Sequence, residues 1–317
     1  MKNKPTVLIT GGAGYIGSVL TEELLKKNYR VVIIDNLMYE QSTLLNHCHD
    51  ENFDFVSGDC RDEELIKKYV AQADILIPLA CLTGAPLCQQ EPWAARSVIV
   101  EGVKLILKYR KKEQQIIYPN TNSGYGIGEK GTFCTEESPL NPISLYGKLK
   151  VEAEKLIMES GNYVVFRLAT VFGASPRMRV DLLVNDFVYR AVKDKFVVLF
   201  EADAKRNYIH IRDVVGAFIY SLENWDKLKN DVYNLGLSSA NLSKRELCQK
   251  IQEIISGFYF TAAEIGEDPD KRDYIVSNDK IEKAGYVPKF TLEFGINELL
   301  KVYKIMRLKK MQNLNFQ

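Results

Sequence analysis

Apolar residues recur along the chain in two alternating rhythms. Short apolar runs of strand length at 6–10, 31–35, 53–57, 74–79, 115–119 and 163–168 are separated by amphipathic stretches of helical spacing near 15–27, 62–70, 92–112 and 144–160. Strand and helix alternating at this interval predict an α/β fold, a doubly wound parallel sheet covered by helices on both faces. After Arg167 the regularity breaks. Gly173-Ala174-Ser175-Pro176-Arg177 reads as a loop, a helical stretch runs from Leu182 to Val192, and a strand at Val232-Tyr233-Asn234-Leu235 and a helix near 243–256 follow. The expected division is a larger domain over 1–168 with a return segment near 207–236, and a smaller interleaved α/β lobe built from 169–206 and 237–317. No internal repeat or low-complexity segment interrupts this pattern.

The first strand runs into Thr10-Gly11-Gly12-Ala13-Gly14-Tyr15-Ile16-Gly17, which opens the first amphipathic helix. Glycines here allow a tight turn and a close approach of backbone to a pyrophosphate, and the free amides at the helix start favour its charge. The motif predicts a Rossmann domain with Gly11, Gly14, Tyr15, Ile16 and Gly17 at the cofactor. Asp35 ends the second strand, eighteen residues past Gly17. A carboxylate there suits paired ribose hydroxyls and repels a 2′-phosphate, and Asn36 rather than an arginine follows, so NAD is expected over NADP.

In such a sheet ligands lie beyond the carboxyl ends of the strands, where strand order reverses. The loops after 79, 119 and 168 therefore face the chemistry, and they supply Thr121 and the 170–177 loop. Twenty-five residues after Thr121, Tyr146 and Lys150 stand four apart in a helical pattern and share one helix face. Oxidising an alcohol with a nicotinamide requires a group that takes the hydroxyl proton, and a phenol near pKa 10 is too weak an acid to ionise at neutrality unaided. A neighbouring ammonium, its charge added to that of an oxidised nicotinamide, favours the phenolate, which makes the pair a candidate general base. An exposed Tyr/Lys pair without chemistry is the alternative, and the glycine motif is what argues against it.

With 317 residues, 46% of them hydrophobic, the chain is long enough for two lobes around large cores. Forty-two Lys and Arg offset forty-one Asp and Glu, for a net charge of +1, so no global field steers nucleic acid or an anionic membrane toward the protein. The first strand begins almost at the amino terminus, and no apolar stretch reaches the roughly 20 residues that span a bilayer, so a cytoplasmic location is expected. Six cysteines without Cys-x-x-Cys spacing are expected to stay reduced. His47-Cys48-His49-Asp50 is read as a solvated loop, since adjacent residues seldom converge on one ion, and no metal is expected. Arg307-Leu308-Lys309-Lys310 is read as a solvated helix end.

Taken together, these motifs resemble the extended short-chain dehydrogenase/reductases, specifically the nucleotide-sugar epimerase/dehydratase family, over nearly the whole chain. The resemblance rests on the glycine turn, Asp35, Asp59-Cys60-Arg61-Asp62, the Thr121 to Gly126 segment, and Tyr146 with Lys150. It extends through Arg206-Asn207-Tyr208-Ile209-His210, Asp213-Val214-Val215 and Asp268-Pro269-Asp270-Lys271-Arg272. It implies that Thr121 bonds the sugar oxygen being oxidised, that Tyr146 is the base, and that Lys150 orients the nicotinamide ribose. It further places Asp59 and Cys60 beside the adenine and Leu79 and Ala80 along the cofactor. Arg206 and Arg272 are expected to grip the substrate diphosphate, a role that suits forked guanidiniums. Asn185 is expected in the same region, and Thr170 stands where the family has an Asn. Family members often dimerise through helices matching 92–112 and 144–160, which implies a homodimer or higher homo-oligomer.

The departures are informative. Related 4,6-dehydratases follow the catalytic threonine with Asp-Glu, and the decarboxylases keep the Glu. Here Asn122 and Ser123 follow, and neither replaces a carboxylate in proton transfer. The expected chemistry is therefore oxidation or reduction at one carbinol, C4 of a nucleotide-diphospho-sugar. Through residues 118–126 and Ser175-Pro176-Arg177-Met178-Arg179 the chain is most similar to GDP-heptose 4-dehydrogenases of bacterial capsule synthesis, which favours a GDP-linked substrate. Arg177 and Arg179 either add charge for the diphosphate or brace their loop. A 4-epimerase remains the close alternative, and a non-catalytic NAD-binding regulator a more distant one.

Overall fold

Val7 and Ile9 pack into one apolar cluster while Leu8, between them, packs into another, and the same alternation holds for Val31 and Ile33 against Val32 and Ile34. Each strand is thus buried on both faces, which is why its sequence reads as a continuous apolar run. The computed structural model describes residues 4–263 and 272–306. In chain order the first half comprises β1 (Thr6–Thr10), α1 (Tyr15–Lys26), β2 (Arg30–Asp35), β3 (Phe53–Ser57), α2 (Glu63–Val70), β4 (Ile75–Pro78), α3 (Ala85–Gln90), α4 (Pro92–Arg96), α5 (Gly102–Tyr109), β5 (Gln115–Thr121), β6 (Phe133–Cys134), α6 (Leu145–Ser160) and β7 (Tyr163–Leu168). The second comprises β8 (Thr170–Phe172), α7 (Leu183–Lys193), β9 (Phe196–Leu199), β10 (Lys205–His210), α8 (Ile211–Glu223), α9 (Trp225–Leu228), β11 (Asp231–Leu235), β12 (Asn241–Ser243), α10 (Lys244–Ile254), β13 (Tyr259–Ala262), β14 (Ile275–Val276), α11 (Asp279–Lys283) and α12 (Leu292–Ile305).

The main sheet has seven strands in the order β11-β7-β5-β4-β1-β2-β3, all parallel. The chain builds outward from β1 through β2 to β3, then crosses back to β4 on the other side of β1. The order therefore reverses between β1 and β4, and a crevice opens beyond their carboxyl ends. This is the doubly wound Rossmann sheet that the apolar rhythm implied. The chain leaves it after β7, returns with α8, whose Val214, Val215 and Phe218 join the cluster under α1, and adds β11 at the edge. A third cluster, centred on Phe172, Val188, Leu247 and Leu299, is the core of the second lobe. There β12, β10 and β8 form a three-stranded sheet.

The stretch 92–112, read as one helix, is continuously helical over 92–109, with α4 and α5 joined through a π turn at Ser97–Glu101, and α3 lies ahead of it. Pro86 and Pro92 lie in the first turns of α3 and α4, and the π turn widens the backbone by one residue without ending the helix. Other ends are set by caps. Asp62 accepts from Leu65 N at the start of α2, Ser144 from Gly147 N at the start of α6, and Ser243 with Glu246 forms a capping box on α10. Among the described residues no helix is long and apolar enough to cross a membrane. The segment 307–310 and residues 268–271 of the Asp268 to Arg272 motif lie outside the described residues.

Candidate active site

The turn from β1 to α1 is shaped for an anion. Gly11 has φ +74°, and a Cβ there would stand 2.6 Å from the Ala80 backbone; a Cβ on Gly17 would stand 2.5 Å from Gly12 O. The β4 loop and α1 thus close onto the turn at a distance only glycine permits. α1 begins at Gly14 with no side-chain cap and no acidic residue in its first turn, so the amides of Tyr15, Ile16 and Gly17 face outward without a competing carboxylate. Asp35, buried at the end of β2, accepts from Ala13 N (3.0 Å) and Leu37 N (2.8 Å). Its orientation is thereby fixed beside the turn, with carboxylate lone pairs left for ribose hydroxyls. These residues fit a dinucleotide. Asn36 Nδ2 donates to Asp59 (3.4 Å), while Arg61 grips both Asp59 oxygens and holds that carboxyl down at about 2. Cys60 is buried against Gly102, and Leu79 lies at the end of β4 with its N–H on Thr10 O.

Thr121 is the last residue of β5 rather than part of a loop, and its Oγ1 accepts from Ser123 N (3.1 Å) and donates to Ser123 Oγ (2.9 Å). Arg272 donates to the same Ser123 hydroxyl, so a guanidinium from the second lobe reaches the threonine through one serine. Burial pushes the Tyr208 phenol up, and the nearby Arg206 and Arg272 guanidiniums oppose this. Asn122 is 1% exposed, and neither polar atom of its carboxamide has a hydrogen-bond partner among the described residues.

Lys150 is buried in α6, donates to Pro119 O (2.5 Å) and stands 4.1 Å from the Tyr118 ring centre. Burial draws its pKa down to about 8. Tyr146, one turn earlier, is half-buried, and burial pushes its phenol upward; Cys81 and Cys88 add to this, while Arg179 and Arg272 oppose it. Within the protein alone desolvation outweighs the neighbouring cations, of which Arg179 and Arg272 act most on the phenol. The same neighbours locate the phenol, which stands where the β4 loop, the β5 end and the second lobe meet.

Arg177 and Arg179 have different partners. Arg177 lies over the Tyr39 ring (4.7 Å) and donates to Met178 O, bracing two loops. Arg179 pairs bidentately with Asp181 and faces Tyr146. Asn185 is fully buried and has spent its amide, accepting from Gly173 N (3.0 Å) and donating to Arg179 O (2.8 Å). It holds the arginine loop, so the expected diphosphate contact is corrected to a supporting one. Tyr15 donates to Gly173 O (2.8 Å) and ties the glycine turn to that same loop. Thr170 starts β8 in register with Tyr208. Asp213, part of the resemblance, caps Lys289 N and Phe290 N and is structural. Beneath the site, Arg167 and Glu154 form a buried pair at 2.7 Å, extended by Asn120, Tyr125 and Asn234. Sequence reasoning missed this support and the closeness of Cys81 to the Tyr/Lys pair.

Residues 7–236 match the model of the NAD dependent epimerase/dehydratase family. The chain belongs to this family. Members are NAD-dependent enzymes of the extended short-chain dehydrogenase type, and so is this protein. It is 28% identical to a low-salt glycan biosynthesis protein, Agl12, of Haloferax volcanii over 94% of this chain and 98% of that one. It is 27% identical, with the same coverage, to a putative UDP-glucose 4-epimerase of Methanocaldococcus jannaschii. Among solved structures it is similar to the UDP-glucose 4-epimerase of Thermotoga maritima with UDP-glucose, at TM-score 0.81 and 25% identity, covering 95% of this chain and 99% of that one.

Proposed function

We propose that the protein is an NAD-dependent oxidoreductase acting at C4 of a nucleotide-diphospho-sugar, with a GDP-linked heptose as the favoured substrate and capsule or surface polysaccharide synthesis as its setting. The observation that carries this reading is the meeting of a phenol, a threonine hydroxyl and two guanidiniums beyond the carboxyl ends of β4 and β5, beside an uncapped glycine turn. Gly11, Gly14, Tyr15, Ile16, Gly17, Asp35, Asn36, Asp59, Cys60, Leu79 and Ala80 hold the cofactor, and NAD when bound supplies the hydride acceptor. Thr121 Oγ1 and Tyr146 OH hold the sugar hydroxyl, and the proton passes to Tyr146. Because the phenol is held protonated by burial, it ionises only when positive charge is brought to it, which confines the base to the fully assembled site. Lys150, anchored by Pro119 O, fixes the helix face that aims the phenol. Arg206, Arg272 and Arg179 meet the diphosphate, with Thr170 and the Arg177 loop lining the sugar side.

Asn122 and Ser123 supply no carboxylate, so the reaction stops at oxidation without elimination of water. A second reading, 4-epimerisation by returning hydrogen to the opposite face, is supported by the similarity to UDP-glucose 4-epimerases. Incubation with GDP-, UDP- and dTDP-sugars separates the two. A released keto sugar or accumulating NADH supports the dehydrogenase, and a stereoisomer at unchanged oxidation state supports the epimerase. NAD binding without turnover of any nucleotide sugar overturns both.

A further inference from the structure

Between β4 and α3 two cysteines aim at one atom. Sγ of Cys81 lies 3.4 Å from the Leu82 carbonyl oxygen and Sγ of Cys88 lies 3.1 Å from the same oxygen. Both are free thiols. Cys88 is fully buried, whereas Cys81 is half-buried, so a small solute reaches Cys81 first. Gly84 has φ +106° with only the Pro86 ring near its Cβ position, and α3 is six residues long. Cys88 belongs to the apolar cluster against which both Cys81 and Tyr146 pack, and α3 lies on α6, the helix that carries Tyr146 and Lys150.

We propose that Cys81 and Cys88 form a modification site, a thiol pair that a peroxide oxidises to an intramolecular disulfide which pulls α3 along α6 and switches the Tyr146 pocket off. Cys81 gives up its proton and its sulfur attacks one peroxide oxygen; the O–O bond breaks, leaving a sulfenic acid on Cys81 and releasing water. The sulfur of Cys88 then forms the S–S bond as the C–S–OH oxygen departs, taking up the Cys88 proton as a second water. Two thiols lose two electrons and the peroxide gains them. Sulfurs that flank a common oxygen must close to about 2.05 Å, so the six intervening residues shift, and Gly84 is where the backbone absorbs the change. A thiol reductant reverses the reaction by exchange.

The test is hydrogen peroxide applied to the full chain, followed by alkylation of remaining thiols, digestion and mass analysis. The expected result is a peptide pair joined through Cys81 and Cys88 and lighter by two hydrogens, with turnover reduced at least tenfold and restored by dithiothreitol. C88S is expected to keep basal turnover and to lose this reversible inhibition; if C88S does not fold, C88A is read in its place. C48S, which removes the exposed thiol, is expected to be inhibited like the parent protein. Oxidation that leaves Cys88 alkylatable, or C88S inhibited as strongly and reversibly as the parent, overturns the proposal. The cross-link is read by mass without any sugar substrate, so its absence is distinguishable from a failure of the proposed reaction.

Discussion

Replacing Lys150 with Met should leave the fold at least as stable while removing turnover. The lysine is buried, and its pKa falls from 10.5 to about 8. At 1.36 kcal/mol per unit this is a penalty on the order of 3 kcal/mol for keeping the ammonium charged in the folded protein. The contacts to Pro119 O and the Tyr118 ring offset part of it, each worth about 1 kcal/mol. A methionine keeps the stem's packing and has no charge to desolvate. The sign follows from the direction of the shift. A lysine depressed in the folded state carries its full penalty below pH 8, and the penalty is relieved as pH rises toward the unfolded value of 10.5. Between pH 8 and 9.5 the parent protein should therefore gain about 2 kcal/mol relative to Lys150→Met. Urea denaturation of both proteins at pH 7, 8 and 9.5 measures this. A variant that loses more than about 1 kcal/mol at pH 7, with a difference that does not change with pH, would refute the reasoning and make the lysine a structural cation.

Gly11→Ala should abolish NAD binding measured by fluorescence titration, because its Cβ meets the Ala80 backbone at 2.6 Å and its φ is +74°; unchanged affinity would show that the turn does not hold the cofactor. Glu154→Gln leaves the buried Arg167 guanidinium without its carboxylate and should cost about 3–5 kcal/mol in chemical denaturation; a loss under about 1 kcal/mol would mean that Tyr125 and the Glu136 carbonyl support the arginine by themselves.

The large domain was legible because its signals are local. Val7, Val31, Ile116 and Val164 sit in runs whose period follows from burial on both faces, and the glycine turn states its own geometry. The Tyr146 and Lys150 spacing likewise follows from helix pitch. What could not be read is what residues do across the chain. Asn185 looks like a ligand contact, yet its amide is consumed by Gly173 and Arg179, partners that only the folded lobe brings together. The spacing puts Lys150 beside Tyr146, yet it does not report the desolvation that outweighs the neighbouring charges in the protein alone. Cys81 and Cys88, scattered in sequence reading, share the Leu82 carbonyl because the chain turns through Gly84 into α3, a short helix the apolar pattern did not mark.

The reaction itself is tested most directly by Tyr146→Phe, with NAD binding and nucleotide-sugar binding measured by calorimetry alongside single-turnover reduction of the bound cofactor. The phenol is the proton acceptor in this account, so both ligands should bind as in the parent protein while reduction slows by about 10²–10⁴. Reduction at near the parent rate would contradict it and move the proton to another group.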